Sequence, residues 1–507
     1  MYDGNHLAQT LRLASVGRES TAFSTDPATG EVTSYGTLWQ NAERVAAALI
    51  GLGVEPGDRV ALQAEKSLGV LELYLGTMLA GAIHLPLNTA YTAAEVGYFL
   101  SDASPRIFVC DPARQEELAE VVKAANVQTV LTLDANGNGS LRDKASDAGP
   151  ILSAVARGAD DLAAFLYTSG TTGRSKGAML THGNLASNAD TLRDLWQFTK
   201  DDVLIHALPL FHTHGLFVAI NVTMVAGGAI RLHRAFNPDA ILADFDCGTA
   251  LMGVPTFYTR LLGHKGLSKE SVGKMRLFIS GSAPMLTETH HDWQARTCHT
   301  VLERYGMTET CMNTSNPYDG TRKAGTVGLP LDGVEMRIAT PEGVVLPQGE
   351  IGGIEVRGEN VFKGYWNMPE KTAEELRPDG WFITGDIGQI DEDGYLTIVG
   401  RSKDLIISGG YNIYPKEIES IIDQVAGVVE SAAYGIPHAD FGESVAVAVV
   451  RETGSTLTDE DILEAISGDL ARFKLPRKIF FLDELPRNTM GKVQKNVLRS
   501  TGGAPSQ

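Results

Sequence analysis

The stretch YTSGTTGRSKGAML, residues 167–180, places hydroxyl side chains, glycines and two cations together in a segment with few apolar residues. Glycines lose much backbone entropy when they become ordered, and this segment has little hydrophobic surface to bury in return. A bound polyanion would supply the missing stabilisation, because backbone N–H groups around glycines form an anion nest and Arg174 and Lys176 add positive charge. We therefore expect this loop, which follows an apolar run and precedes a helix-like run, to hold a triphosphate.

The spacing within the loop differs from that of a P-loop. A Walker A loop places lysine directly after its second glycine, and a serine or threonine follows. Here two residues separate Gly173 from Lys176, and the next residue is a glycine. The pattern indicates a phosphate site of another family, and a flexible surface loop is the alternative interpretation.

The composition is that of an ordinary globular protein. The chain has 507 residues, enough for at least two domains, with 43% hydrophobic and 21% charged residues. Its formal charge of −19 argues against nucleic acid or an anionic membrane as partner. The N-terminal residues do not predict a signal peptide, and no apolar run is long enough for a membrane helix. We expect a cytoplasmic enzyme whose free thiols lack metal-ligand spacing: Cys110, Cys247, Cys298 and Cys311.

Apolar runs that favour strands alternate with amphipathic helical stretches along most of the chain. This alternation predicts an α/β fold with parallel sheets sandwiched by helices. A polar stretch over 134–149 predicts a surface loop. The expected strands and helices before it are strands at 58–64, 83–88, 106–111 and 127–133, and helices at 69–82 and 116–126.

The pattern changes after about residue 320. Alternating residues and turn signals predict antiparallel strands in a small β-rich subdomain, and a compact α/β tail follows over 402–507. The major domain boundary is expected at 400–403.

Four later stretches narrow the choice of family: YGMTET (305–310), WFITGDIG (381–388), GRSKDLIISGGYNIYPKEIE (400–419) and PRNTMGKVQK (486–495). Together with the loop, and in this order, they resemble the acyl-adenylate-forming superfamily of acyl-CoA synthetases, peptide-synthetase adenylation domains and luciferases. The resemblance runs from about residue 30 to residue 497. It implies a large N-terminal domain over 1–400 and a small mobile C-terminal domain over 401–507 that rotates at Lys403.

The resemblance also implies a two-step reaction. A carboxylate attacks the α-phosphate of ATP and expels pyrophosphate, and the thiol of coenzyme A then attacks the acyl carbon and expels AMP. ATP, Mg²⁺ and coenzyme A are thus the expected cosubstrates and cofactor. The implied nucleotide contacts are phosphate contacts from Thr168, Ser169, Gly170, Thr171, Thr172, Gly173 and Lys176, adenine contacts from Gly281, Ser282, Ala283, Tyr305, Gly306 and Met307, and ribose contacts from Asp386 supported by Arg401.

For catalysis, the resemblance assigns the α-phosphate to Thr308 and magnesium to Glu309 with the hydroxyl of Thr168. Lys492 would bridge the attacking carboxylate and the α-phosphate, because a cation there cancels the repulsion between two anions. For coenzyme A, Ser408, Gly409, Gly410 and Tyr411 would line the pantetheine tunnel. Arg472 and Lys474 would meet its phosphates, or would simply be solvated at the domain rim.

The residues of the acyl pocket determine which acid an enzyme of this superfamily uses. The pattern over 303–331 is very close to that of malonyl-CoA synthetases, and the implied pocket residues are Arg260, Ser282, His212, Thr213 and Met312. A buried Arg260 would need an anion, which a second substrate carboxylate supplies; an internal ion pair is the alternative. His212 is open between gating, polar support and a core role.

We therefore expect an ATP-dependent malonate:CoA ligase, with methylmalonate as a further acid. The alternatives are a ligase for another small acid, such as propionate or an aryl acid, and a free-standing adenylation enzyme that loads a carrier protein. A monomer and a dimer both remain open.

Overall fold

The structure is a computed structural model of the chain. It describes residues 2–151, 153–168, 175–408, 411–438, 442–467, 469–470, 472, 474–488 and 491–501, with the backbone alone at 411, 412 and 442. The chain divides into two compact units. The first comprises Met1–Glu335 and Arg357–Phe382, and the second comprises Met336–Val356 and Ile383–Gln507.

The first unit contains two large sheets with helices packed on them. Its strands are β1 (Ala22–Thr25), β2 (Val32–Ser34), β3 (Arg59–Gln63), β4 (Ile83–Pro86), β5 (Ile107–Cys110), β6 (Thr129–Thr132), β7 (Leu162–Thr168), β8 (Lys176–Thr181), β9 (Val203–His206), β10 (Ala229–Leu232), β11 (Ala250–Gly253), β12 (Leu277–Ser280), β13 (Leu302–Met307), β14 (Cys311–Ser315) and β15 (Leu329–Pro330). Its α-helices are α1 (His6–Leu13), α2 (Tyr35–Gly51), α3 (Leu68–Leu79), α4 (Ala93–Ala103), α5 (Gln115–Ala124), α6 (Ser140–Asp147), α7 (His182–Leu195), α8 (Asn221–Ala226), α9 (Pro238–Asp244), α10 (Pro255–Leu262), α11 (Thr287–Thr297) and α12 (Pro369–Glu375).

Both sheets are mainly parallel. The first has the strand order β6-β5-β3-β4-β7-β8, and only the β7–β8 pair is antiparallel. The second has the order β15-β14-β13-β12-β11-β9-β10-β1-β2, with parallel pairing from β1 to β13. The α/β class predicted from the alternation of strands and helices is therefore confirmed.

Helix α3 shows why the alternation of strands and helices could be predicted from the sequence. All its residues from Gly69 to Leu79 are buried, and its apolar residues occur on every side of the helix. Such a helix is stable only when it is packed on all sides. The strands before and after it, β3 and β4, pair in parallel with each other, so the three elements form a βαβ unit.

One local prediction was wrong and another was right. The expected loop over 134–149 contains helix α6, because Leu141 and Ala145 lie one turn apart and are buried. The helix-like run expected after residue 180 is helix α7, which begins at His182. Between the glycine-rich loop and α7 lies strand β8, one edge of which pairs with β7 while the other edge hydrogen-bonds to residues 363–366.

The second unit is smaller and richer in strands. Its elements, some of which extend a few residues beyond the unit, are β16 (Val334–Ala339), β17 (Gly352–Gly358), β18 (Phe382–Ile390), β19 (Leu396–Arg401), β20 (Ile406–Ser408), β21 (Tyr411–Ile413), β22 (Val428–His438), β23 (Gly442–Arg451), β24 (Lys478–Leu482), α13 (Pro415–Ile422), α14 (Asp459–Ile466) and α15 (Lys495–Thr501). Strands β16–β19 form one sheet in sequence order, and β20–β24 form another.

The β18–β19 pair is antiparallel, as expected for the β-rich segment. Lys403 lies in the helical turn Ser402–Asp404, between β19 and β20, and its role as a hinge stays a prediction. None of the helices in the described ranges has the length and hydropathy required to cross a bilayer.

Candidate active site

The β7–β8 hairpin brings the two ends of the glycine-rich loop together. Thr168, the last residue of β7, pairs in register with Lys176, the first residue of β8. The Thr168 hydroxyl lies 3.4 Å from the carbonyl oxygen of Lys176. The loop between them, which contains the predicted phosphate contacts Ser169, Gly170, Thr171, Thr172 and Gly173 together with Arg174, lies outside the described residues.

Lys176 belongs to a network of charged side chains around one tyrosine. Its ammonium lies 3.1 Å from Oε1 and 3.2 Å from Oε2 of Glu375, and 4.1 Å from the centre of the Tyr365 ring. The Tyr365 hydroxyl lies 2.6 Å from Glu375 Oε2 and 3.0 Å from Glu309 Oε1. The predicted phosphate cation and the predicted magnesium ligand are therefore joined through Tyr365. The motif analysis missed both Tyr365 and Glu375.

The carboxylate of Glu309 is suited to a hard cation. The residue is buried, and burial raises the pKa of its carboxyl group. Its backbone carbonyl accepts a hydrogen bond from the N–H of Phe362, which holds the turn between β13 and β14 in place. A carboxylate that is buried in this way would be stabilised by a divalent cation, and oxygen is the ligand atom that Mg²⁺ prefers.

The predicted adenine residues lie at the ends of two adjacent strands. Gly281, Ser282 and Ala283 follow β12, while Tyr305, Gly306 and Met307 end β13, its parallel neighbour. Ser282 has a φ of 70°, a left-handed conformation that is uncommon for serine. A Cβ on Gly306 would lie 1.9 Å from the carbonyl oxygen of Cys311, so this turn requires glycine.

A cation that the motif analysis missed lies beside these residues. Arg304, on β13, is 3% exposed, and its Nε and Nη2 atoms have no hydrogen-bond partner among the described residues. A Cβ on Gly281 would lie 2.4 Å from its guanidinium carbon, so the guanidinium packs directly on this glycine. Burial lowers the pKa of Arg304 to about 9, which leaves the side chain charged at neutral pH.

The segment between β9 and α8, which includes the helical stretch His214–Ile220, carries further buried polar atoms. His214 Nδ1 lies 3.2 Å from the Ser282 hydroxyl. Burial lowers the pKa of His214 well below its usual value, and the nearby charge of Arg304 lowers it further. In the described part of the chain, no partner exists for the buried Nε2 atoms of His212 and His214 or for the hydroxyl of Thr213.

Two other predicted pocket residues differ in their environment. Met312 is buried on β14, and its backbone exchanges two hydrogen bonds with the side chain of Asn188 at 3.0 and 3.2 Å. Arg260 is exposed on α10, so the expectation of a buried guanidinium at this position was wrong. The Arg260 side chain is exposed because the buried face of α10 is formed by Tyr258 and Leu261.

The predicted ribose residues and the predicted catalytic lysine belong to the second unit, whereas Thr308 and Glu309 lie in the first. Asp386 on β18 is buried and pairs in register with Arg401 on β19, whose Nε lies 3.0 Å from Asp386 Oδ1. Lys492 lies in the turn before α15, where its backbone N–H donates to the side chain of Asn488 at 2.9 Å. Burial lowers the pKa of Lys492 to about 7; Arg401 lowers it further and Asp386 acts in the opposite direction.

The predicted coenzyme A residues are only partly described. Ser408 ends β20, Gly409 and Gly410 lie outside the described residues, and Tyr411 begins β21. Arg472 is exposed. Lys474 lies 2.5 Å from Glu417, so it must leave this ion pair before it can meet a phosphate. The described residues contain no cluster of three or more acidic, histidine or cysteine side chains that could hold a metal ion.

Comparison with known proteins shows the family. The AMP-binding enzyme family matches residues 12–366, and the AMP-binding enzyme C-terminal domain matches residues 417–492. The ATP-bound crystal structure of MatB from Rhodopseudomonas palustris is 57% identical, with a TM-score of 0.96 and 99% coverage of both chains.

Curated relatives are more distant. A feruloyl-CoA synthase of an Amycolatopsis species is 36% identical and covers 94% of this chain and 95% of its own. A malonate–CoA ligase of Arabidopsis thaliana is 34% identical and covers 94% of this chain and 85% of its own. ATP, Mg²⁺ and coenzyme A are the cosubstrates and cofactor of such enzymes. The chain belongs to the AMP-binding family of acyl-adenylate-forming enzymes and is an AMP-forming acid–CoA ligase.

Proposed function

We propose that the acid used by this ligase is malonate, which it joins to coenzyme A through a malonyl-adenylate. The observation that carries the proposal is the buried guanidinium of Arg304, for which the described residues provide no hydrogen-bond partner at Nε or Nη2. A buried cation without a counter-ion destabilises a fold by several kcal/mol, by an order-of-magnitude estimate. A substrate with a second carboxylate supplies the missing anion, and a guanidinium can bind it through two parallel hydrogen bonds.

The surroundings of Arg304 favour a short polar acid over a fatty acid. His214 and Ser282 are hydrogen-bonded to each other close to the guanidinium, and the His212 and Thr213 atoms described above lack partners. A hydrocarbon chain gains about 0.8 kcal/mol for each buried methylene, but it would leave these polar atoms desolvated and unpaired. Malonate has only one methylene and four carboxylate oxygens.

The names of the relatives alone do not select the acid. The Arabidopsis relative is named for malonate, whereas the Amycolatopsis relative is named for ferulate at a similar identity. Feruloyl-CoA carries no second carboxylate, so the chemistry of the pocket, rather than the name of a relative, has to distinguish the two. Arg260, exposed on α10, stays a proposed second contact for the distal carboxylate. Met312 and Thr213 stay proposed limits on a 2-substituent such as that of methylmalonate.

The first half-reaction joins two anions. One malonate oxygen attacks the α-phosphorus of ATP, the bond to the bridging oxygen breaks, and pyrophosphate leaves with the bonding electrons. Lys176 and the glycine-rich loop would hold the β- and γ-phosphates, and Thr308 would bind the α-phosphate. Lys492 would lie between the carboxylate and the α-phosphate, where its charge reduces their repulsion. Glu309 and Thr168 would hold Mg²⁺, which neutralises phosphate charge when it is bound.

The second half-reaction makes the thioester. The sulfur of coenzyme A attacks the acyl carbon of the adenylate, the bond from that carbon to the phosphate oxygen breaks, AMP leaves with the bonding electrons, and the thiol proton passes to solvent. Because Lys492 would occupy the path of the thiol, we propose that the C-terminal domain rotates at Lys403 between the two steps. Ser408 and Tyr411 would then line the path of the pantetheine arm.

The test is pyrophosphate release across a panel of acids, with and without coenzyme A. We expect malonate to give the highest kcat/KM, methylmalonate to follow, and propionate, benzoate and ferulate to be poor substrates. A preference for a monocarboxylic acid would contradict the proposal. If malonate is adenylated but is transferred only to a phosphopantetheinyl carrier protein and not to free coenzyme A, the carrier-loading alternative is correct.

A further inference from the structure

A buried lysine and a buried histidine lie outside the predicted motifs but close to the acyl pocket. Lys66 follows β3 of the six-stranded sheet, and His206 ends β9 of the nine-stranded sheet. Lys66 is 8% exposed and His206 is 1% exposed. Burial lowers the pKa of Lys66 well below its usual value. Burying an amine here is unfavourable unless hydrogen bonds to the protein compensate for its lost hydration.

The ammonium of Lys66 has three partners, all on one short segment. Its Nζ lies 2.7 Å from His206 Nδ1, 2.9 Å from the His206 carbonyl oxygen and 2.8 Å from the Leu208 carbonyl oxygen. Only the charged form of lysine has three hydrogens, so these three acceptors favour the ammonium and oppose the effect of burial. These contacts fix the point at which the chain leaves β9.

His206 holds the other end of the same segment. Its Nε2 lies 2.8 Å from the carbonyl oxygen of Gly215. Because a carbonyl can only accept, Nε2 carries the hydrogen, and Nδ1 is left to accept from Lys66. A Cβ on Gly215 would lie 2.0 Å from the carbonyl oxygen of Pro209, so the two ends of the segment are in direct contact.

The segment that is closed in this way, residues 207–213, is called the acyl loop here. It carries His212 and Thr213, and His214 follows it directly. These three residues have the unpartnered buried atoms of the proposed acyl pocket, and His214 also binds Ser282. Their orientation toward an acid therefore depends on how the acyl loop is closed.

We propose that Lys66 and His206 are positioning residues for the acid substrate, because they close the acyl loop at both ends. The inference rests on the proposed acyl pocket, but it does not depend on which acid is bound. Neither side chain needs to touch substrate. Their removal is expected to weaken binding of the acid while binding of ATP, whose proposed phosphate and ribose contacts lie on other elements, is largely retained.

Three substitutions test the hydrogen bonds of Lys66 and His206 separately. Lys66→Met removes all three lysine hydrogen bonds and keeps a chain of similar length. His206→Asn keeps an acceptor near the position of Nδ1 and loses the bond to Gly215. His206→Gln keeps a donor near the position of Nε2 and so retains the closure to Gly215.

The matched control is a partly buried ion pair at the opposite end of the same strand. Arg276 lies 2.6 Å and 2.8 Å from the carboxylate oxygens of Asp202, which directly precedes β9. Arg276→Met should lower the melting temperature of the protein without a selective effect on the acid. It therefore reports what loss of stability alone does to the kinetic constants.

The readout is the KM for malonate and the KM for ATP in pyrophosphate release, together with the melting temperature. We expect Lys66→Met and His206→Asn to raise the KM for malonate about tenfold or more, as loss of buried hydrogen bonds predicts, and to change the KM for ATP less than about threefold. His206→Gln should stay close to the wild type.

The inference is overturned if Lys66→Met and His206→Asn behave like Arg276→Met, or if the KM values for acid and ATP rise together. If the wild type does not use malonate, the proposed function fails, and the same variants are compared with the acid that the wild type prefers. A selective rise in the KM for that acid would support the positioning role even then.

Discussion

The ammonium of Lys176 lies within hydrogen-bond distance of both carboxylate oxygens of Glu375, at 3.1 and 3.2 Å. The cation that is proposed to bind the ATP phosphates is thus already paired with an anion of the protein. Glu375 also accepts a hydrogen bond from Tyr365, whose hydroxyl lies next to Glu309. A triphosphate that binds Lys176 as proposed would therefore compete with Glu375 for it.

We predict that Glu375→Gln lowers the KM for ATP about two- to fivefold, because it removes a partly screened negative charge near the phosphates and keeps an acceptor for Tyr365. Lys176→Met should have the opposite effect and raise this KM about tenfold or more. ATP–pyrophosphate exchange at saturating acid measures both. A higher KM for ATP in Glu375→Gln would show that Glu375 holds Lys176 in its binding position instead of competing for it.

The pKa of Lys492 predicts a pH dependence. Burial and the charge of Arg401 lower it to about 7, so the fraction of charged Lys492 falls as the pH rises through 7. The kcat/KM for adenylation should therefore decrease above about pH 7. An arginine at this position stays charged throughout this range. The Lys492→Arg variant should therefore lose the decrease of kcat/KM above pH 7, although its absolute rate will be lower. If kcat/KM decreases in the same way in the wild type and in Lys492→Arg, the titrating group is not Lys492.

The elements that could be predicted from the sequence are those whose pattern lies within a few neighbouring residues. The βαβ unit around α3 was predictable because continuous apolar runs bounded by turns indicate buried elements. Helix α6 was missed because its two buried residues, Leu141 and Ala145, are few among polar neighbours. Strand β8 was not predicted, because one of its two pairing partners, residues 363–366, lies almost 190 residues further along the chain.

The residues of the candidate site likewise divide into those that a local motif predicts and those that only the folded chain brings together. Glu309, Asp386 and Lys492 stand in motifs whose order along the chain identifies the family. Arg304 was missed although it directly precedes the YGMTET motif, and a charged residue inside a buried strand was the available signal. Lys66 and His206 carry no motif. Their pairing joins two sheets that only the folded chain brings together.

The second unit offers a test of stability. Burial raises the pKa of Asp423 to about 6 from 3.8, and the side chain accepts a hydrogen bond from Ser431 at 2.7 Å. Because the folded state takes up the proton more readily than the unfolded state, stability should fall as the pH rises from about 4 to about 6, and the loss persists above that. Asp423→Asn keeps the acceptor and removes the charge.

We therefore expect Asp423→Asn to stabilise the protein above pH 6, by at most about 3 kcal/mol, and to lose this advantage as the pH falls toward 4. Thermal unfolding at a series of pH values measures the difference from the wild type. A constant difference at all pH values would mean that the effect comes from packing and not from the charge of Asp423.

Arg304→Met should separate function from stability. The variant removes a buried cation whose Nε and Nη2 lack partners among the described residues, so its melting temperature should equal or exceed that of the wild type. Malonate turnover should fall severely in the same protein. Arg260→Met is the matched control on an exposed arginine, and its effect on malonate should be smaller.

The most direct measurement is the ratio of kcat/KM for malonate to kcat/KM for propionate, in the wild type and in Arg304→Met. Propionate has the same chain length as malonate and lacks the second carboxylate, so the ratio isolates what that group contributes. We predict that the ratio falls about a hundredfold in Arg304→Met, as expected when a charge-assisted, bidentate contact is lost. An unchanged ratio, with both acids affected equally, would contradict the assignment of the distal carboxylate to Arg304.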